Sequence, residues 1–256
     1  MRPLHPKCYL EISKNSDHIL IATCEDLYKM ADYINNNILS QAYIHVEPLG
    51  LDTQEKLLNF KRHIIEFARS RTDFYLAPGV QVDVEFEEGS LKARITIMGS
   101  ILLLMQGISN YPSFKEGVSL LYQDSRRLAE YLVSEAQFHA GAKHQDVIRL
   151  EARTGIIGSL HKVTLQLENI KRGANGGVLA RDLEVKIDKV ISDIQELSQN
   201  LENSVDEGVV KFGLSGIVKE IPETPIPPKD KINNNFSISG YQDKRRRLRM
   251  LFHLSN

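Results

Sequence analysis

Residues 80–97 read VQVDVEFEEGSLKARITI, and their alternation decides the predicted fold. Apolar side chains occupy every second position on both sides of residues 88–89, which is the two-residue period of a β-strand. With residues 88–89 as a two-residue turn, apolar side chains pair on one face and Glu85 lies opposite Lys92 on the other. One register satisfies both faces, so an antiparallel β-hairpin is predicted.

Helical patterns surround this hairpin. Apolar residues recur at helical spacing over residues 25–39, 53–71 and 113–138. Shorter apolar runs at residues 9–12 and 19–22 predict two further strands. The expected fold class is therefore α+β, in which an antiparallel β-hairpin sheet packs with amphipathic helices.

The region 145–205 predicts two further helices that form an antiparallel helical hairpin. Apolar residues step by four and three over 156–170 and again over 183–201, with a glycine-rich break at 172–177. This spacing is typical of a coiled-coil-like seam. The second helix supplies six seam residues as candidate interaction residues: Leu183, Ile187, Val190, Ile194, Leu197 and Leu201.

The composition changes after residue 220. Four prolines between residues 222 and 228 indicate a stiff linker, and residues 229–256 carry seven basic residues against two aspartates, on a chain with net charge −1. We expect a flexible tail whose candidate interaction residues are the four arginines Arg245, Arg246, Arg247 and Arg249. The predicted domains are an α+β core (1–142), a helical-hairpin module (143–220), and the linker with its basic tail (221–256).

No pattern points to catalytic, cofactor-binding or metal-ligating residues, and no cofactor is expected. The carboxylates at positions 83, 85 and 87 are interpreted as the solvent face of the hairpin, and the eight histidines as scattered surface residues. Cys8 and Cys24 have no metal-binding or disulfide spacing, and no signal-peptide pattern is visible at the N-terminus. A non-enzymatic, cytoplasmic protein is therefore expected.

One uncharged stretch leaves a second interpretation open. Residues 95–114 contain no charged side chain, and their apolar centre is only about ten residues long, which favours a buried core segment over a membrane span. The alternative is a segment that is sheltered at rest and inserts into a bilayer on activation. Its candidate residues would be Ile101, Leu102, Leu103 and Leu104.

These patterns favour a non-catalytic protein-interaction or assembly protein. The helical hairpin or the basic tail would bind a protein partner or a second copy of the chain. Two alternatives remain: a membrane-acting effector that uses residues 95–106, and a nucleic-acid-binding accessory protein that uses the basic tail.

Overall fold

The computed structural model describes residues 38–46, 53–78, 80–87, 91–107, 113–201, 203–228 and 235–253. The predicted strands at 9–12 and 19–22, and nearly all of the predicted helix at 25–39, lie outside these residues. In chain order the elements are β1 (Ile38–Val46), α1 (Gln54–Tyr75), β2 (Gln81–Glu87), β3 (Leu91–Met98), α2 (Ile101–Gly107), α3 (Phe114–His139), β4 (Val147–Arg153), α4 (Gly155–Asn175), α5 (Ala180–Gln199), α6 (Ser204–Lys219) and α7 (Asn235–Met250). The α+β class is confirmed.

The four strands form one antiparallel sheet in the order β2-β3-β1-β4. Helices α1 and α3 connect β1 to β2 and β3 to β4, so the chain follows the split β-α-β arrangement. The sequence analysis did not predict the central strand β1 and assigned its first two residues, Ile38 and Leu39, to a helix. Its first five residues are all buried, so it lacks the alternation that marks a half-exposed strand.

The predicted hairpin exists, but its register differs from the prediction by two residues. Glu85 lies opposite Arg94, and Glu87 lies opposite Lys92. Because a shift of two keeps every side chain on its own face, the apolar and charged faces survive unchanged. The ion pairs Glu87–Lys92 at 3.2 Å and Glu85–Arg94 at 3.5 Å bridge the strands.

Helices α1 and α3 pack against the sheet and against each other. Thr53 and Ser113 cap them, because each side-chain oxygen accepts a hydrogen bond from the backbone N–H three residues on. The inner face of α1 buries Phe60, Ile64 and Ala68, as its helical spacing predicts. Both helices are thereby held firmly by their apolar faces.

The predicted helical hairpin is present as α4 and α5, which pack along each other. Residues 147–153, however, are strand β4, although the sequence analysis included them in a helical region. β4 lies within the predicted module 143–220 and pairs with β1, which lies within the predicted core 1–142. The domain boundaries themselves stay a prediction.

The apolar stretch after β3 forms the short helix α2, which packs against α6. The buried Asp206 of α6 accepts hydrogen bonds from the hydroxyl of Ser100 at 2.6 Å and from the backbone N–H groups of Ile101 and Leu102. It thus satisfies donors at the start of α2. The glycine-bearing residues 208–216 lie within α6.

The expected flexible tail contains helix α7, which packs against α5 and α6. The hydroxyl of Tyr241 donates a hydrogen bond to the carbonyl of Pro222 at 2.6 Å, and Lys244 forms an ion pair with Asp188 at 2.7 Å. Tyr241 and Leu248 are fully buried. The basic sequence therefore also carries an apolar helical stripe, which anchors the helix on the body.

Among the described residues, no helix has both the length and the hydropathy needed to span a bilayer.

Candidate binding surface on helices α1 and α3

Five of the six predicted seam residues lie on α5 and Leu201 follows its end, and all six are inside the protein. None is more than 8% exposed: the set is Leu183, Ile187, Val190, Ile194, Leu197 and Leu201. A seam offers a partner contact only where packing within the chain leaves it uncovered. These residues are covered by the chain's own core, so they offer no exposed surface to a partner. Their role in an interaction stays a prediction.

The four candidate arginines lie on α7 in different surroundings. Arg245 donates a hydrogen bond to the carbonyl of Ile221 at 2.9 Å, and burial lowers its pKa. Arg246 lies 3.4 Å from Asp243, and Arg247 is exposed, whereas Arg249 is half-buried. The four do not form one continuous basic surface, because two of them face the body of the protein.

The four residues of the membrane hypothesis are parts of the core and its border. Ile101 and Leu104 are 2% exposed, and Leu102 and Leu103 are half-buried. Insertion of this helix into a bilayer would require that α2 leave its contacts with α6.

A cleft of about 890 Å³ opens between α3, α4 and the end of α5. Within it the ring of His161 stacks on Tyr122 with 4.1 Å between ring centroids, and burial lowers the pKa of His161. The basic side chains of the cleft are already engaged: Arg126 with Glu130, Lys162 with Asp193 and Arg153 with Gln41. The cleft offers space, but it does not direct a set of charges towards one ligand.

Three large aromatic side chains are more than half exposed on the neighbouring helices α1 and α3: Phe74 (76%), Tyr131 (51%) and Phe138 (77%). Tyr75 connects the two helices, because its ring stacks on Tyr131 at 5.8 Å and meets Phe74 edge-on at 5.1 Å. We name Phe67, Phe74, Tyr75, Tyr131 and Phe138 the aromatic band. Within the part of the chain that the structure describes, Phe74, Tyr131 and Phe138 are left exposed, whereas Phe67 and Tyr75 are half-buried.

Two arginines border the aromatic band. The guanidinium of Arg71 lies 5.2 Å from the ring centroid of Phe67, which is cation–π distance. Burial and a hydrogen bond with Tyr131 raise the pKa of Tyr75, while the charges of Arg71 and Arg127 act in the opposite direction. Arg71 therefore lies beside the ring of Phe67, whereas Arg127 pairs with Asp124 at 3.7 Å.

One set of potential metal ligands lies within the same surface. The Nε2 atom of His63 is 2.7 Å from Oε1 of Glu135, and the Nδ1 atom of His139 is 3.2 Å from that same oxygen. The sequence analysis treated both histidines as ordinary surface residues. Glu135 and His139 are one helical turn apart, a signal that was available, but only the packing of α1 on α3 adds His63.

The sequence analysis also missed the aromatic band, because it ended the helix predicted at 53–71 before Phe74 and Tyr75.

Comparison with protein-family models, with curated proteins and with solved structures finds no match for this chain.

Proposed function

We propose that this chain is a non-catalytic interaction protein that binds a protein partner through the aromatic band. One observation carries the proposal: three large rings on two adjacent helices are each at least half exposed. Burying such rings is favourable, since each aromatic side chain removes roughly 150–250 Å² from water. Three of them supply on the order of half of the roughly 800 Å² that each partner contributes to a stable interface.

The residue types favour a protein as the occupant. Tyrosine, phenylalanine and arginine are enriched at the centres of protein interfaces, where they account for much of the binding energy. Arg71 adds positive charge beside Phe67. The best-matched occupant is therefore a protein segment that carries both apolar side chains and carboxylates.

The rest of the fold supports this role as a scaffold. The inner face of α1 is anchored by Phe60, Ile64 and Ala68, and that of α3 by Leu128 and Leu132. A surface on helices held in this way loses little conformational entropy on binding. The helical hairpin, which the sequence analysis proposed as the interaction module, serves in this proposal as part of the supporting core.

The proposal is tested with a variant that replaces the three exposed rings, Phe74→Ser, Tyr131→Ser and Phe138→Ser. Full-length chain is used to capture partners from its native cell, and each captured protein is purified and titrated against wild type and variant by calorimetry. We expect the variant to bind at least about 30-fold more weakly, which corresponds to the loss of about 2 kcal/mol at an interface centre.

A matched control replaces three exposed apolar residues elsewhere, Val185→Ser, Phe212→Ser and Met250→Ser. The control variant should bind the partner within about twofold of wild type. Equal affinity of the band variant and wild type would refute the proposal. Capture of lipid or nucleic acid without protein, followed by direct binding to liposomes or to an oligonucleotide, would instead support one of the two alternative functions.

A further inference from the structure

The cluster of His63, Glu135 and His139 joins two helices at one point. Two of its atom pairs are 2.7 Å and 3.2 Å apart, and its three potential ligand atoms all lie within 4.8 Å of one another. Ligand atoms around a tetrahedral zinc ion are roughly 3.3 Å apart, given bonds of about 2.0 Å. The three ligand atoms are thus close enough to share one ion, once the side chains rotate so that both imidazole lone pairs point at it.

The backbone under each of these side chains is held in place. Each of the three is followed by a buried residue: Ile64 after His63, Ala136 after Glu135 and Ala140 after His139, none more than 1% exposed. Because these neighbours pack in the core, the positions from which the ligands project are set by the fold. Ligands on packed helices provide the preorganised arrangement that a metal site requires.

The chemistry of the cluster selects the class of ion. Two imidazole nitrogens and one carboxylate oxygen suit zinc and its neighbours among the transition metals, whereas calcium and magnesium prefer sites made of oxygen atoms. Three protein ligands leave a fourth position open for water or another molecule. The side chains of His63 and His139 are 36% and 37% exposed, so that position is accessible from solvent.

The surroundings restrict the two imidazole rings. They stack on each other with 3.5 Å between centroids and 11° between planes. Phe67 lies 6.1 Å from the ring of His63, and Phe138 lies 5.8 Å from that of His139. Because the nitrogen lone pairs lie in the ring planes, both rings must turn out of this stack to point at one ion.

We propose that His63, Glu135 and His139 form a binding site for one divalent transition-metal ion of the zinc type. Nε2 of His63, Nδ1 of His139 and a carboxylate oxygen of Glu135 bind the ion, and the fourth position faces solvent within the aromatic band. The ion links α1 to α3. This site does not depend on the proposed partner binding, because it is complete within a single chain.

The test uses the purified full-length chain, freed of metal, and titrates it with Zn²⁺ by calorimetry. We expect one ion per chain, and binding at least 10-fold weaker in each of the single variants His63→Ala, Glu135→Gln and His139→Ala. Zn²⁺ should also raise the melting temperature of the wild type, because a ligand that binds only the folded state stabilises it. That rise should be lost in all three variants.

The matched control is His144→Ala, which removes an exposed histidine outside the cluster and should leave zinc affinity within about twofold of wild type. Melting of each metal-free variant establishes that it is folded. The proposal is overturned if the wild type takes up no stoichiometric zinc, or if the cluster variants bind zinc as the wild type does. Since no partner is present, either result leaves the partner-binding proposal to its own test.

Discussion

The seam of α5 and the aromatic band have opposite positions in the molecule. The seam has the more regular sequence pattern, yet none of its six residues is more than 8% exposed. The band is less conspicuous in the sequence, with one pair of rings seven residues apart on each of α1 and α3, and its three most prominent rings are at least 51% exposed. Regular apolar spacing therefore identified residues that the chain itself buries, whereas the exposed rings of the aromatic band come from two separate helices.

The largest expected effect is a loss of unfolding free energy, and it tests whether the seam is buried. Val190 and Val185 lie on the same helix, but Val190 is fully buried, whereas Val185 is 66% exposed. Val190→Asp should lower the free energy of unfolding by about 4 kcal/mol or more, because it places an unpaired carboxylate in an apolar core. Val185→Asp should change it by less than about 0.5 kcal/mol. Urea denaturation followed by circular dichroism measures both.

If Val190→Asp were as mild as Val185→Asp, the seam would not be buried in the folded chain. The seam would then again be a candidate interaction surface, and it would no longer differ in exposure from the aromatic band.

A smaller effect is expected where the sheet joins the helical hairpin. Gly155 has φ +48°, and a Cβ atom there would lie 2.1 Å from the carbonyl oxygen of Ile38. Gly141 has φ +62° with no atom within 4 Å of such a Cβ. Gly141→Ala should cost about 1 kcal/mol of unfolding free energy from backbone strain alone, and Gly155→Ala about 3 kcal/mol or more. Thermal unfolding of the two variants gives the difference.

Similar losses in both variants would mean that β4 and α4 can move away from β1 at little cost. The sheet and the hairpin would then be less tightly joined than the packing at Gly155 indicates.

The smallest expected effect on stability concerns α7, which carries both exposed arginines and a buried tyrosine. Tyr241→Phe removes the hydrogen bond to Pro222 and should lower the free energy of unfolding by about 1 kcal/mol. Burial raises the pKa of Tyr241 from 10.0 to about 12. The neutral phenol therefore stabilises the fold fully below pH 10, and this contribution declines as the pH rises from 10 to 12.

Urea titrations of wild type and Tyr241→Phe at several pH values over this range measure the effect. The stability of the wild type should fall more steeply with pH than that of the variant. Parallel curves would indicate that the phenol is not buried and that α7 is less firmly docked.

Part of this fold could be predicted because its signals are local. Helices α1 and α3 have the apolar spacing that predicted them, and Thr53 and Ser113 cap them in the structure. The hairpin faces were predicted correctly, but the register was not, because Glu85 finds a basic residue opposite in either pairing, Lys92 in one and Arg94 in the other. Strand β1 was not recognised, since its first five residues are all buried and only residues 42–46 alternate.

The candidate sites were harder to predict, because both depend on how α1 meets α3. Glu135 and His139 are neighbours on one helix, but His63 is 72 residues away from Glu135 in the chain. Tyr75 and Tyr131 are likewise far apart in the chain, and their rings meet only because α1 packs against α3.

By itself, the sequence determined helices α1, α3, α4 and α5, the β-hairpin and the two faces of each, because apolar periodicity acts over a few residues. Tertiary structure alone decided which apolar residues are buried by the chain and which stay exposed. The physical reason is that an apolar side chain gains the same free energy from any surface that excludes water, whichever chain supplies it. Val190 thus became core and Phe138 remained on the surface, although both are apolar residues on amphipathic helices.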